Sequence, residues 1–119
     1  MKKNLIEEKS YLFALRIIKL FHFIRDIKHD RILASQVLRS GTSVGANIQE
    51  ALGGASKKDF TCKMNIAYKE IRETDYWLRL LHDSGYIDEK SFFSIKKDCE
   101  EISKLLFTII RTSRSKINA

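Results

Sequence analysis

The chain has 119 residues, enough for one domain with a buried core and too few for two. It contains no proline and five glycines, which removes the usual punctuation of β-rich folds and leaves long helices as the natural solution. Lys and Arg number 22 against 15 Asp and Glu, a formal charge of +7; such an excess serves either solubility or an anionic partner, and decides nothing about the fold.

The start, Met1-Lys2-Lys3, imitates the basic end of a signal peptide. Glu7, Glu8 and Lys9 then precede any apolar run, and no small-residue cleavage site follows. The apolar run from Tyr11 to Ile24 is interrupted by Arg16, Lys19 and His22, well short of the ~20 residues a membrane span requires. The expectation is a cytoplasmic protein, neither exported nor membrane-spanning. Cys62 and Cys99 form no C-x-x-C pair. Both fall in helical patterns, where a buried thiol acts as a small hydrophobe, and a reducing compartment is expected.

The first helix is predicted over Ile6 to Lys28. Tyr11, Leu12, Phe13, Ala14, Leu15, Ile17, Ile18, Leu20, Phe21, Phe23 and Ile24 make it apolar nearly all round, where an ordinary surface helix carries one stripe. A bundle of this size cannot cover that much apolar surface alone, so self-association is expected. Asp30 caps a second helix with Leu33, Val37, Val44, Ile48 and Leu52 as apolar positions. Within it, Ser40-Gly41-Thr42-Ser43-Val44-Gly45 is poor helix material, glycine costing roughly 1 kcal/mol relative to alanine. A kink or restart is expected there, with Ser43 as cap, and Gly53-Gly54 supplies the stop.

The third helix opens on Ser56 as N-cap with Asp59 in its first turn. Phe60, Met64, Ala67, Ile71, Thr74, Leu78 and Leu81 recur at alternating spacings of four and three, a bundle seam. Tyr76, Trp77 and Leu80 form a second apolar flank, and Gly85 ends the helix. Asp88 opens the fourth, with Ile87 placed to pack on Phe92 as a hydrophobic staple. Its seam is Phe92, Ile95, Cys99, Ile102, Leu106 and Ile109. Three short connections make sequential helices antiparallel, so the expected fold is all-α, a single up-down-up-down four-helix bundle.

Catalytic and metal-binding patterns fail one after another. Di-iron bundles need Glu-x-x-His pairs, whereas Glu50 is followed at i+3 by Gly53, Glu70 by Glu73 and Glu100 by Ser103. His22, His29 and His82 have no His-x-x-x-His spacing, and no phosphate loop or nucleophile elbow is present. No catalytic residue, metal or cofactor is therefore expected, and an enzyme is not. Ser43, Asn47 and Glu50 share one face of the second helix at i, i+4 and i+7. They form either an anion or base contact, or a polar network tying helices together; without a nucleophile–base pair the network is the simpler reading.

Basic residues are the remaining candidates. Arg25, Lys28, His29 and Arg31 surround the first turn. Lys57, Lys58 and Lys63 open the third helix, and Arg111, Arg114 and Lys116 close the fourth, where they suit the negative end of the helix dipole. Aromatic residues are not evidently interleaved with them, so binding through them is expected to be phosphate-driven and poorly sequence-specific.

The stretch Leu38-Arg39-Ser40-Gly41-Thr42-Ser43-Val44-Gly45-Ala46-Asn47-Ile48-Gln49-Glu50-Ala51, with Ser56-Lys57-Lys58-Asp59-Phe60 after it, resembles the bacterial four-helix-bundle family of rRNA intervening-sequence proteins. The similarity continues through Ile66-Ala67-Tyr68-Lys69-Glu70, Glu73-Thr74, Tyr76-Trp77-Leu78 and Gly85-Tyr86, nearly the whole chain. The resemblance implies a homo-pentamer of bundles arranged as a barrel, and kinship with the basic accessory protein of diversity-generating retroelements, which works beside a reverse transcriptase. Many relatives carry proline where this chain has Gly45, in keeping with a helix restart. The family offers no catalytic residues to carry over. The expected function is that of a nucleic-acid-associated accessory protein, binding RNA or DNA through Arg39, Lys57, Lys58, Lys63, Arg111, Arg114 and Lys116. The alternative is a protein-interaction scaffold whose charge serves solubility.

Overall fold

A computed structural model describes residues 4–118, so the basic start Met1-Lys2-Lys3 lies outside the described residues. Four helices follow in order: α1 Leu5–Asp26, α2 Arg31–Leu52, α3 Lys57–Asp83 and α4 Glu89–Asn118. Each packs on its sequence neighbour, and α1 closes the ring against α4 through the sparsest of the four interfaces. Contacts across each pair run in opposite directions along the chain, as antiparallel packing requires. Lys9 meets Glu101 while Arg16 meets Asp98; Glu50 meets Lys63 while Arg39 meets Glu70. The protein is an all-α, up-down four-helix bundle about 50 Å long.

The helix starts are capped by side chains that take the free amides of the first turn. Asn4 accepts from the amides of Ile6 and Glu7 at 3.1 and 3.2 Å. Asp30 accepts from Leu33 at 2.9 Å, Ser56 from Asp59 at 3.1 Å and Asp88 from Ser91 at 2.7 Å. The Leu33 amide, with the Tyr86 hydroxyl added at 2.9 Å, holds the Asp30 carboxyl below its usual range. That second bond ties the start of α2 to the α3–α4 turn. At the turn, the amides of Gly85 and Tyr86 return to the carbonyls of His82 and Leu81, a Schellman closure. It requires a left-handed residue, and Gly85 supplies it at φ 83°. In the α1–α2 turn the left-handed position is His29, at φ 57°.

The core holds Phe13, Ile17, Ile24, Val37, Val44 and Ile48 from α1 and α2, with Met64, Ile71, Leu78, Ile102 and Leu106 opposite. The α3 seam is buried as its spacing predicts, except that Phe60 at its start is only half-buried. In α4 the seam passes from Leu106 to Ile110 and Ser113 rather than Ile109, which is half-buried. A straight helix drifts by about 20° per heptad against a strict seven-residue repeat, and one extra residue restores the register. Ile87 and Phe92 are both buried where a staple puts them. The flank of Tyr76, Trp77 and Leu80 is less covered than expected: only Trp77 is half-buried.

The expected break in α2 is absent. The helix runs unbroken from Arg31 to Leu52, and Ser43 is no cap; its hydroxyl donates to the Arg39 carbonyl at 2.6 Å. Thr42 does the same to Leu38 at 2.7 Å. Gly41 is buried against α1, where an added Cβ would lie 2.7 Å from Ile17 Cγ1. Close approach of α1 and α2, rather than a break, is what glycine provides at this position. Beneath it, the Ser40 and Thr74 hydroxyls are hydrogen-bonded at 2.9 Å, fully buried between α2 and α3. Thr74 also donates to the Glu70 carbonyl at 2.8 Å. Among the described residues no buried side-chain polar atom lacks a partner.

The two cysteines differ. Cys99 is buried, and burial pushes its thiol up to about 12; Cys62 is exposed, against the expectation that both lie inside. On α1, Tyr11, Leu12, Leu15, Ile18 and Phe23 remain exposed, the apolar surplus expected from the sequence. No helix is long and apolar enough to cross a membrane among the described residues.

Candidate nucleic-acid interface

Antiparallel packing brings the start of α3 beside the end of α4. The join is made by Thr61 and Ser113, whose hydroxyls are hydrogen-bonded to one another in a buried position. One turn before Thr61 lie Lys57 and Lys58; flanking Ser113 lie Arg111, Arg114 and Lys116. Two groups more than fifty positions apart in sequence therefore share one end of the bundle. All five are exposed, and none has a carboxylate within ion-pair distance among the described residues. The α3 N-terminus adds backbone amides that favour anions, opposed in part by Asp59 in the same turn.

The other two candidates are occupied. Arg39 lies on the α2–α3 surface, 3.3 Å from Glu70 and also bonded to Glu73. Gln36 accepts from the same guanidinium, and Glu73 in turn accepts from the Trp77 indole at 2.9 Å. Arg39 thus belongs to an interhelical polar network with little net charge. Lys63 is 3.0 Å from Glu50. That pair accounts for one of the three polar residues on the α2 face; Ser43 and Asn47 bond their own helix, Asn47 donating to the Ser43 carbonyl at 2.8 Å. Only Glu50 ties α2 to a neighbour, so the expected polar network between helices is not formed by Ser43 and Asn47, whose polar groups are spent on α2 itself. The basic group at the first turn lies at the opposite end of the bundle, where Arg25 is spent on Asp26 at 2.7 Å.

Aromatic residues do stand among the basic ones, against the expectation from sequence. Tyr68 on α3 and Phe107 on α4 are packed with ring centroids 6.3 Å apart. Arg72 lies 5.8 Å from the Tyr68 centroid, and Arg111 the same distance from that of Phe107. Each aromatic–arginine pair has i, i+4 spacing, legible in the sequence; their meeting across two helices is not. Elsewhere between α3 and α4, Lys96 bonds Asp75 at 3.0 Å, which raises its pKa. No group of three or more potential metal ligands occurs among the described residues.

Helices, caps and a basic end define a four-helix-bundle protein with no evident catalytic constellation among the described residues. The family model described as 23S rRNA-intervening sequence protein matches residues 2–108, and the chain belongs to that family. It is also similar to a crystal structure of a protein of unknown function from the S23 ribosomal protein family of Bacteroides thetaiotaomicron. The two share 46% identity with a TM-score of 0.88, over 89% of this chain and 98% of that one. No match was found among curated proteins.

Proposed function

We propose that the protein is a non-enzymatic accessory protein that holds RNA by phosphate contacts at the end of the bundle where α3 begins and α4 finishes. The observation that carries this reading is the convergence of Lys57, Lys58, Arg111, Arg114 and Lys116, none of them in an ion pair among the described residues. Five cations on one end of a small domain, repeated in an oligomer, sum to a field that attracts a polyanion. The family's connection with 23S rRNA intervening sequences makes RNA the first candidate. Arg39 and Lys63 are left out of the contact set, because their charges are already engaged. Assembly into a homo-pentamer, as the resemblance implies, is part of the proposal; the exposed apolar residues of α1 support self-association.

The test is a titration of structured RNA at several salt concentrations. Phosphate-driven binding weakens steeply as salt rises. Changing Lys57 and Lys58 together to glutamine should weaken binding to all sequences alike and make the salt slope shallower by about 1 per lysine. Folding should be unaffected, since exposed substitutions away from packing features usually stay within ~0.5 kcal/mol. Absence of salt-sensitive association for the unaltered protein would sink the proposal and leave the interaction scaffold in its place.

A further inference from the structure

Resting on that reading, we infer that the groove between α3 and α4 beside Tyr68 and Phe107 is a base-stacking site, and that the RNA held is single-stranded there. The groove has a volume of about 240 Å³ and is lined by Asn65, Tyr68, Phe107, Ile110, Arg111 and Arg114. That is below the roughly 300–1,000 Å³ of pockets that enclose drug-sized ligands, a size suited to one planar ring rather than a whole enclosed molecule. Phe107 is 52% exposed, so a face of its ring is open to a planar partner. Ile110 beneath it is buried in the core, so the floor of the groove is apolar and fixed.

What covers it is indicated by charge. Arg72, Arg111 and Arg114 surround the two rings, and none is in an ion pair among the described residues. A neutral apolar partner would desolvate the guanidinium groups of Arg111 and Arg114 without offering them an acceptor, which is costly; Arg72 already donates to the Tyr68 hydroxyl at 3.5 Å. A nucleotide satisfies both requirements at once: its base stacks on the ring and the guanidinium planes, and its phosphate accepts from the arginines. The Asn65 amide, which has no side-chain partner among the hydrogen bonds of the described residues, can donate to and accept from a base edge. The groove is also continuous with the phosphate-binding end. Tyr68 lies seven residues along α3 from Thr61, about 10 Å at 1.5 Å per residue. A strand held by Lys57, Lys58 and Arg114 therefore passes within reach. Bases in a duplex are already stacked and turned inward, whereas unpaired bases can be splayed onto an aromatic platform.

The experiment measures fluorescence anisotropy of a short labelled single-stranded RNA and of the same strand annealed into a duplex. Phe107→Ala should weaken single-strand binding on the order of tenfold, leave the salt slope unchanged, and leave duplex binding as it was. Phe107→Trp should restore the single-strand affinity. Equal single-strand affinity for Phe107→Ala and the unaltered protein would overturn the stacking site while leaving the phosphate contacts standing, provided salt-sensitive binding persists. Equal loss on single strand and duplex would overturn it as well. So would a fall in the light-scattering mass of Phe107→Ala, which would place the ring in a self-association surface. If the unaltered protein binds neither RNA, the phosphate reading itself fails, and the stacking site falls with it.

Discussion

Gly41 and Gly45 occupy the same helix one turn apart, and intrinsic propensity treats them alike: replacing either with alanine should stabilise α2 by up to about 1 kcal/mol. The packing separates them. At Gly41 the new methyl would lie 2.7 to 3.0 Å from three atoms of Ile17, a side chain fully buried and unable to swing away. At Gly45 the nearest atoms belong to Ser10 at 3.5 Å, an ordinary contact. Thermal or denaturant unfolding should therefore show Gly41→Ala destabilised by roughly 1–3 kcal/mol through overpacking and Gly45→Ala unchanged or more stable. Equal effects at the two positions would contradict the close approach of α1 and α2. The stretch is legible in the sequence as special. The reason is not, because a glycine chosen for a neighbour's volume looks the same as one chosen to break a helix.

At the scale of the element, caps and seams contribute different amounts. Ser56 satisfies one amide at the start of α3, and Ser56→Ala should cost about 1 kcal/mol. Leu78 and Ile102 are buried to 0% and 1% exposure in the core, and truncation of either to alanine should cost roughly 2–5 kcal/mol. Chemical denaturation of the three variants checks the order; a cap loss larger than both core losses would mean that the helix faces are misassigned. Seam periodicity alone identifies most of these buried positions, since a 3.6-residue repeat leaves few ways to bury one face. It fails at the end of α4, where Ile110 replaces Ile109. Seven-residue arithmetic extended over a 30-residue helix accumulates more drift than a straight helix tolerates.

For the whole molecule, the decisive feature is the unevenness of α1. Its inner face carries Phe13, Ile17 and Ile24 into the core, while Tyr11, Leu12, Leu15 and Phe23 stay exposed. Exposed apolar side chains on this helix are the basis of the proposed self-association. Light scattering at micromolar concentration should give a mass several times the 13.9 kDa of one chain, and Leu15→Glu should lower it. A monodisperse monomer would remove both the homo-pentamer and the symmetry-multiplied basic field from the functional proposal. The two polar bridges to α4, from Lys9 to Glu101 and from Arg16 to Asp98, lie at the sparsest interface of the ring.

Helix number, topology, most of the core and the apolar surplus of α1 follow from the sequence, because each is written in local periodicity and in turn residues such as Gly85 and Asp88. The family is legible too, in the Ser43-to-Ala51 block and its continuation through α3. The candidate site is legible only as a set of charges. Seven basic residues stand as equals along the chain, and nothing local distinguishes an arginine facing two glutamates from one facing water. Tertiary packing makes that distinction: it sets Arg39 against Glu70 and Glu73 and Lys63 against Glu50. It also joins Lys57 and Lys58 to Arg111, Arg114 and Lys116, and Tyr68 to Phe107. Burial and pairing across helices depend on distances between residues remote in sequence, and those distances exist only once the bundle has closed.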